Sequence, residues 1–361
     1  MKARSRRRII AAAFGLGLLM TIGVGLAVGE LTIRVFHLMR DGIPFLEKPS
    51  GRIGPIVLDP RVGWRATDWY AHDFQETTAK GEAYSVHLSQ GRNGFRQYGN
   101  TRGQTERLLV IGDSFTQATA ASDKKTYHAL LKQELGMEVF AYGAGGYGTL
   151  QEYMVLNEVI DDIRPTMVLW QFCTNDFVNN DHALEVSSTL NNNGWTRPYW
   201  EKGQVQLRSP KPSAVQTREW ISHHSRFLYF LVSRIDRLRA RTERESVEFA
   251  IQREGMAHLG FARSVQTTDE LMGRVRARVG TVPIHAFSCE NEEPYNTAFS
   301  TIAQHHNIRY WADVPDAVQE ALRAGADVLS SDGHWNEQGH ALIANRVAMH
   351  LQRPSTTVAK E

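Results

Sequence analysis

The chain has 361 residues, of which 42% are hydrophobic and 22% are charged, and its formal net charge is +2. It is too apolar to be disordered, while a mean hydropathy of -0.37 excludes a protein with many membrane spans. A net charge near zero argues against a nucleic-acid binder, and the 2 cysteines are too few for a disulfide framework or a cysteine-based zinc site.

The amino terminus combines a basic tail with a long apolar segment. Five of the first eight residues are Lys or Arg, and residues 9–28 carry no charge. A helix of this length spans about 30 Å, the thickness of the hydrocarbon core of a bilayer. The basic tail, residues 1–8, is expected to stay in the cytoplasm, so that residues 9–28 act as an uncleaved signal-anchor and the rest is exported. A cleavable signal peptide is the alternative, because Ala27-Val28-Gly29 resembles a small-x-small cleavage site.

The remaining chain predicts one α/β domain behind a lead-in segment. Residues 29–105 are rich in Gly, Pro and polar residues and form the juxtamembrane and lead-in segment. Apolar strands are then predicted at 108–111, 138–142, 166–173, 282–289 and 308–314, with helices at 122–135, 149–163 and 337–351. Apolar strands separated by helices indicate a parallel sheet covered on both faces. This domain spans residues 106–353, and residues 354–361 are a carboxyl-terminal tail.

A long insert separates the third and fourth predicted strands. It covers about residues 178–280, far more than one crossover helix requires. A helical stretch from about 217 to 255 has an apolar face and is expected to pack on the domain. The polar loop at 191–200 contains Trp195, Tyr199 and Trp200, which either stack on a sugar or anchor the loop to the core.

A candidate nucleophile and a candidate base follow predicted strands. Ser114 stands in the sequence GDSF at 112–115, directly after the first strand, where the carboxyl ends of parallel strands line a ligand crevice. A serine nucleophile needs a base, and Asp332-Gly333-His334 precedes the last helix. Alternate residues of an extended turn point to one side, so Asp332 is predicted to orient His334, whose other ring nitrogen faces Ser114. The alternative is that Asp332 caps the helix and His334 is a surface histidine.

Candidate donors for an oxyanion follow the next two strands. Gly146 lies in the glycine-rich turn after the second strand, where its backbone N–H can approach a ligand closely. Asn175 follows the third strand and offers a side-chain amide, and the N–H of Ser114 is a third donor. Taken alone, each of these three residues could simply be a turn residue. Because they follow three successive strands, together they favour an active site at the strand ends.

Three further patterns in the sequence bear on cofactors, metals and cysteine chemistry. Residues 143–148 match the G-x-G-x-x-G pattern of dinucleotide sites, but the next strand ends in Cys173-Thr174-Asn175 rather than in an acidic residue. No cofactor and no metal are predicted, because the histidine pairs lack acidic or cysteine partners at ligand spacing. Two buried thiols are favoured over a Cys173–Cys289 disulfide, because adjacent parallel strands rarely bridge.

Four sequence blocks resemble those of the SGNH (GDSL) hydrolase superfamily. They are GDSF, AGGYG, CTND and DGHWNEQGH, and the lead-in pieces DPRVGW and RNGFRQ resemble segments of membrane-anchored bacterial members. The resemblance implies a flavodoxin-like three-layer α/β/α domain that cleaves or transfers acyl esters. It implies Ser114 as nucleophile, His334 as general base and acid, and Asp332 as orienting carboxylate. The oxyanion hole would consist of Ser114, Gly146 and Asn175.

Two departures from the family pattern bear on the site: the first, at Cys173, concerns the geometry of the oxyanion hole, and the second, in the last block, favours the glycan-modifying members. Cys173 stands where the third block usually has glycine, and the last block is D-x-H, a spacing similar to that of alginate O-acetyltransferase relatives. We therefore predict an inner-membrane, periplasmic serine esterase acting on acyl groups, in particular O-acetyl groups, of a glycan or another small ester. An O-acyltransferase acting on a cell-envelope glycan, or a catalytically silent protein that binds a glycan or a partner, are the alternatives.

Overall fold

The computed structural model describes residues 2–41, 43–45, 52–103, 105–210, 217, 220, 224–242 and 246–352. The predicted carboxyl-terminal tail at 354–361 lies outside the described residues. The chain divides into two compact units, of which one comprises Met1–Gly51 with Gln216–Thr242 and the other Arg52–Val215 with Glu243–Glu361. The predicted lead-in from residue 52 onward therefore belongs to the same unit as the sheet.

Helices and strands alternate through most of the described chain. The helices are α1 (Lys2–Asp41), α2 (Ser114–Gln117), α3 (Tyr127–Leu135), α4 (Thr149–Ile163), α5 (Asn175–Asn179), α6 (His182–Ser187), α7 (Arg226–Thr242), α8 (Val247–Glu254), α9 (Leu259–Val279), α10 (Tyr295–His305), α11 (Asp316–Arg323) and α12 (Glu337–Gln352). The strands are β1 (Arg52–Ile53), β2 (Ile56–Asp59), β3 (Gly63–Ala66), β4 (Tyr70–Thr77), β5 (Ala83–Gln90), β6 (Arg107–Gly112), β7 (Glu138–Gly143), β8 (Met167–Phe172), β9 (Arg197–Glu201), β10 (Gln204–Arg208), β11 (Ile284–Ser288) and β12 (Arg309–Tyr310).

The first unit pairs α1 with α7. Within α1, Ala13–Arg40 is long and apolar enough to cross a membrane, in agreement with the predicted amino-terminal span. The Glu30 carboxylate accepts hydrogen bonds from Ser225 Oγ at 2.8 Å and from the backbone N–H of Phe227 at 3.0 Å. A carboxylate at this position satisfies free N–H groups of the first turn of α7. Within the described residues, the helical stretch predicted at 217–255 contains α7 and α8, and α7 packs on α1.

The second unit is built on a parallel sheet of β6, β7, β8, β11 and β12. Its strand order is β12-β11-β8-β6-β7, and every neighbouring pair is parallel. Counted along the chain, this is the 2-1-3-4-5 order of flavodoxin-like doubly wound folds. The order reverses between β6 and β8, where a crevice opens at the carboxyl ends of the strands. The predicted fold class is confirmed.

Alternate strand residues produce the three layers. Leu109 and Ile111 belong to one buried cluster with residues of α4, α9 and α10. Leu108 and Val110 belong to the opposite cluster with residues of α3, α11 and α12. Each of these four side chains is fully buried, so both faces of the sheet are covered, as the uninterrupted apolar strands predicted.

One predicted helix begins later than expected. The helix predicted from residue 122 starts at Tyr127, because the Thr126 side chain accepts the N–H of Ala129 and caps it. The carboxylate of Asp123, three residues earlier, is engaged elsewhere: it pairs with Arg96 and accepts the N–H of Ser89 at 2.8 Å.

The lead-in segment supports the loops that follow the strands. Hairpin β4–β5 is hydrogen-bonded to the loop before Asp332, because the N–H of Ser331 donates to Thr77 O at 2.7 Å. Arg96, which is buried, donates to the carbonyls of Gln117 and Ala121 at 2.8 Å each. The segment therefore holds both the loop after Ser114 and the loop that carries the Asp332-Gly333-His334 sequence.

The two cysteines form a disulfide, and the prediction of two thiols is wrong. Phe172 and Ser288 are in register on neighbouring strands β8 and β11. The residue that follows each strand is a cysteine. The Cα atoms of Cys173 and Cys289 lie 5.0 Å apart, within the usual range for a disulfide. The bridge joins the ends of the two strands directly before Thr174 and Glu290.

Candidate active site

Ser114 and His334 are in hydrogen-bond contact although 220 positions separate them along the chain. Ser114 opens α2 at the carboxyl end of β6, where Asp113 caps the helix by accepting the N–H of Phe115 at 3.0 Å. His334 Nε2 lies 2.9 Å from Ser114 Oγ. Asp332 Oδ2 lies 3.1 Å from His334 Nδ1, without the alignment of a full hydrogen bond. The structure thus brings the three predicted triad residues together.

The loop that carries Asp332 and His334 is fixed by local contacts. Ser330 Oγ donates to Asp332 Oδ1 at 2.6 Å, and the backbone N–H of His334 donates to the same oxygen at 3.2 Å. Gly333 has a φ of 91°, a conformation that glycine adopts without strain. The Phe115 ring, 4.8 Å from the His334 ring between centroids, supports the imidazole on one face. These contacts hold the imidazole toward Ser114.

The charges around His334 stabilise its protonated form. Burial lowers the pKa of His334, but the Asp332 carboxylate outweighs burial, and Asp113 and Glu290 act in the same direction, so the pKa lies above its ordinary value. Burial raises the pKa of Asp332, whereas its contacts with His334 and Ser330 lower it more, so the net pKa lies far below its ordinary value. Asp332 therefore remains ionised and able to stabilise an imidazolium.

Exchange of Asp332 for asparagine is expected to move the acid limb of the kcat/KM profile to lower pH. A base must be neutral to accept a proton, so wild-type activity should fall as pH drops through the raised pKa of His334. Removing the carboxylate that raises this pKa brings it down, and kcat falls as well because the imidazolium loses its partner. Measured pH–rate profiles check this.

A matched control is Asp313→Asn. Asp313 Oδ1 lies 2.7 Å from His350 Nε2 and forms no part of the triad, so its loss should leave the acid limb in place. An acid limb that stays fixed in Asp332→Asn, or moves to higher pH, would contradict the assignment of Asp332.

Of the predicted oxyanion donors, Gly146 lies in a turn that borders Ser114, and Asn175 opens α5 after the neighbouring strand β8. Gly146 has a φ of 70°, and a Cβ built on the preceding Gly145 would lie 3.9 Å from Ser114 Cβ, so this turn borders the nucleophile. The Asn175 amide donates to Tyr147 O at 3.3 Å and to Asn179 Oδ1 at 3.0 Å. Both hydrogens of the Asn175 amide thus have protein acceptors. To hold an oxyanion, the amide must give up one of these bonds, of which the bond to Tyr147 O is the longer.

Three buried carboxyl groups, which the sequence analysis did not identify as a group, lie under this edge of the sheet. Burial raises the pKa of Asp113 to about 6 and holds the pKa values of Glu152 and Asp176 well above their ordinary range. Repulsion by Asp176 and Asp113 adds to the effect of burial on the pKa of Glu152, and repulsion by Asp113 adds to it for Asp176. The protonated, neutral forms of Glu152 and Asp176 are therefore favoured, which limits the negative charge near Ser114. The one member of this cluster that the sequence pointed to was Asp176, which stands in the CTND block.

A cavity of about 280 Å³ adjoins the triad. Phe115, Gly333 and Trp335 line it on the side next to Ser114 and His334. Glu290, Asn291 and Gln319 supply polar groups to the same cavity.

The aromatic residues of the insert loop are anchors. Trp195 is 8% exposed and packs edge-on against Trp64, with ring centroids 5.4 Å apart. Tyr199 is 1% exposed and its hydroxyl donates to Glu185 Oε2 at 2.8 Å. Trp200 lies under the guanidinium of Arg274, 4.0 Å from the ring centroid. In the part of the chain that the structure describes, no group of three or more His, Cys, Asp or Glu side chains is suited to a metal ion.

A flavodoxin-like sheet with Ser114, His334 and Asp332 at its carboxyl edge has the arrangement of a serine hydrolase. The model of the GDSL-like lipase/acylhydrolase family matches residues 110–342, and the chain belongs to this family. It is therefore an SGNH-type serine hydrolase that acts on ester bonds.

The solved structures to which this chain is similar share little sequence with it. LAE5, an α/β hydrolase enzyme from the metagenome of Lake Arreo, Spain, is 15% identical with a TM-score of 0.38, over 71% of this chain and 100% of that chain. A catalytic mutant of Axe2, an acetylxylan esterase from Geobacillus stearothermophilus, is 16% identical with a TM-score of 0.36, over 71% of this chain and 98% of that chain. No curated protein matches the chain significantly.

Proposed function

We propose that the chain is a membrane-anchored, extracytoplasmic serine esterase that removes acyl groups, in particular O-acetyl groups, from a glycan of the cell envelope. The observation that carries this proposal is the contact of 2.9 Å between Ser114 Oγ and His334 Nε2, with Asp332 on the far side of the imidazole. It is the geometry that a serine needs in order to lose its proton as it attacks a carbonyl carbon.

Each step of the reaction follows from these positions. Ser114 Oγ attacks the ester carbonyl while its proton passes to His334 Nε2. The oxyanion that forms is held by the N–H groups of Ser114 and Gly146 and by the Asn175 amide. His334 then protonates the departing alkoxide, leaving an acyl group on Ser114. A water that gives its proton to His334 attacks this acyl-enzyme. The intermediate collapses as His334 returns that proton to Ser114 Oγ, which releases the acid and restores both side chains.

The sequence and the disulfide support an exported catalytic unit. Five basic residues precede the apolar segment of α1, which favours a cytoplasmic amino terminus. Disulfides persist in oxidising compartments such as the bacterial periplasm, and the Cys173–Cys289 bridge fits that location.

The cavity beside the triad supports a hydroxyl-rich leaving group. His334 must protonate the departing alcohol, so the alcohol portion lies on the side of His334. The cavity borders this side through Gly333 and Trp335, and Glu290 and Asn291 can accept hydrogen bonds from hydroxyl groups there. An aromatic wall with nearby acceptors suits a neutral sugar.

Labelling of the full-length protein in detergent tests the nucleophile. A fluorophosphonate should add once to the wild-type chain, and peptide mapping should place the adduct on Ser114. Ser114→Ala should remain unlabelled, whereas the control Ser300→Ala, at an exposed position of α10, should be labelled at the wild-type rate. Labelling that persists in Ser114→Ala contradicts the assignment, and glycan binding with neither labelling nor turnover would indicate a catalytically silent protein.

Transfer of the acyl group to a glycan hydroxyl is the second candidate function. The D-x-H spacing of Asp332 and His334, similar to that of O-acetyltransferase relatives, favours it. Both reactions share the acyl-enzyme, so the products must be partitioned. An acyl donor is supplied with and without an oligosaccharide acceptor, and free acid is compared with acylated sugar. Free acid as the sole product at saturating acceptor supports the esterase.

A further inference from the structure

Three successive peptide units of the glycine turn are held by three different segments of the chain. The N–H of Gly145 donates to Gln117 Oε1 at 2.8 Å. Trp64 Nε1 donates to Gly145 O at 2.8 Å, and Arg197 Nη2 donates to Gly146 O at 2.8 Å. Gln117 belongs to the helix after the nucleophile, Trp64 to lead-in strand β3 and Arg197 to insert strand β9.

The Trp64 contact determines the direction of the Gly146 N–H. In a trans peptide the C=O of one residue and the N–H of the next lie in one plane and point in opposite directions. Trp64 draws the Gly145 carbonyl to its side, so the Gly146 N–H must point the other way. Within the described residues this N–H donates to no protein group, and it remains available to an acceptor beside Ser114.

Arg197 keeps Trp64 in place. The guanidinium lies 4.8 Å from the Trp64 ring centroid, and its side chain is 1% exposed. Arg197 Nε is 2.9 Å from Glu185 Oε2, and the Glu185 side chain is 0% exposed. The backbone of strand β3 also packs closely against the insert, since a Cβ added to Gly63 would lie 2.3 Å from Thr196 O. Packed in this way, the indole has little freedom to rotate away from the turn.

We propose that Trp64 is a positioning residue of the oxyanion hole, aligning the Gly146 N–H through the Gly145 carbonyl, and that Arg197 of the insert locks it. The inference rests on the proposed function, in which Gly146 holds the oxyanion. A donor of this kind acts on the transition state, so its misalignment lowers kcat and leaves KM nearly unchanged. The insert thus takes part in the reaction through backbone geometry.

The test compares Trp64→Phe with Trp311→Phe in the full-length protein. Trp64→Phe removes the N–H donor and keeps an aromatic ring. Trp311 is also buried, and it follows β12 at the sheet edge opposite to β7, from which the glycine turn leaves. We expect Trp64→Phe to lower kcat by about 10- to 100-fold, somewhat less than outright removal of a donor, with little change in KM. Trp311→Phe should retain kcat.

An oxygen ester and its thionoester separate positioning from general damage to the fold. Sulfur accepts hydrogen bonds weakly, so a misaligned donor should slow the oxygen ester more than the thionoester. A lower ratio of the two rates in Trp64→Phe supports the inference. An unchanged ratio, or a kcat equal to that of Trp311→Phe, overturns it.

A second variant covers the case in which Trp64→Phe does not fold. Arg197→Lys keeps the charge but lacks the planar fork that reaches both Glu185 and Gly146 O. It should lower the same rate ratio, and an unchanged ratio counts against the proposal. Failure of the proposed function is distinguishable, because the wild-type chain would then show no Ser114-dependent ester turnover at all.

Discussion

Exchange of Ser114 for alanine is expected to lower kcat for ester hydrolysis by about 10⁴-fold or more. The alanine variant has no oxygen to form the acyl-enzyme, and only the oxyanion donors and substrate binding remain to accelerate attack by water. Stability should change little, because among the described residues the hydrogen-bond partners of Ser114 Oγ are His334 and, at 3.4 Å, Asp113 Oδ2. Steady-state kinetics and thermal unfolding of wild type and variant measure both effects.

The matched control for this kinetic test is again Ser300→Ala, which removes a hydroxyl from an exposed helical position. It should retain wild-type kcat. A Ser114→Ala variant that keeps more than about one hundredth of wild-type kcat would exclude a covalent mechanism through Ser114.

Loss of the Cys173–Cys289 bridge is expected to lower the free energy of unfolding by about 2–5 kcal/mol. The cysteines are 116 positions apart, so the bridge constrains a long loop of the unfolded chain. The bridge also ties the ends of β8 and β11 directly before Thr174-Asn175 and Glu290, and kcat should fall with it. Denaturant unfolding of the full-length protein in detergent measures the change.

A mutant cycle isolates the bridge from the loss of sulfur atoms. If the bond forms, Cys173→Ala and Cys289→Ala should each destabilise about as much as the double variant, since either one breaks it. Additive effects, or equal unfolding midpoints with and without a reductant, would show that the cysteines do not pair.

The residues around Ser114 were predictable because their signals are local. Ser114, Gly146 and Asn175 each follow an apolar strand within a short recognisable block, and parallel strands bring their carboxyl ends together. Asp332 and His334 lie in a fourth block before the last helix. The strand pattern is therefore enough to predict the sheet and to put these blocks at its carboxyl edge, whereas the predicted roles of Asp332 and His334 depend on the resemblance to the family.

The supporting residues were not predictable in the same way. Trp64 reaches Gly145 across 81 positions and Arg197 reaches Gly146 across 51, and no spacing in the sequence signals such contacts. The disulfide was missed because the register of β8 and β11, which sets Cys173 opposite Cys289, is decided by packing of the whole sheet. The contact of Glu30 with the start of α7 joins positions about 195 apart, and no local pattern predicts it.

The contacts of the lead-in segment limit where a truncated form of the protein can begin. A fragment starting at residue 106, where the sequence pattern of the sheet begins, would lose Trp64, Arg96 and the β4–β5 hairpin together. The glycine turn, the loop after Ser114 and the loop before Asp332 would each lose a hydrogen-bonding partner at the same time. A fragment that begins near Arg52, about fifty residues ahead of the first strand of the parallel sheet, keeps these three contacts but leaves α7 without its partner α1.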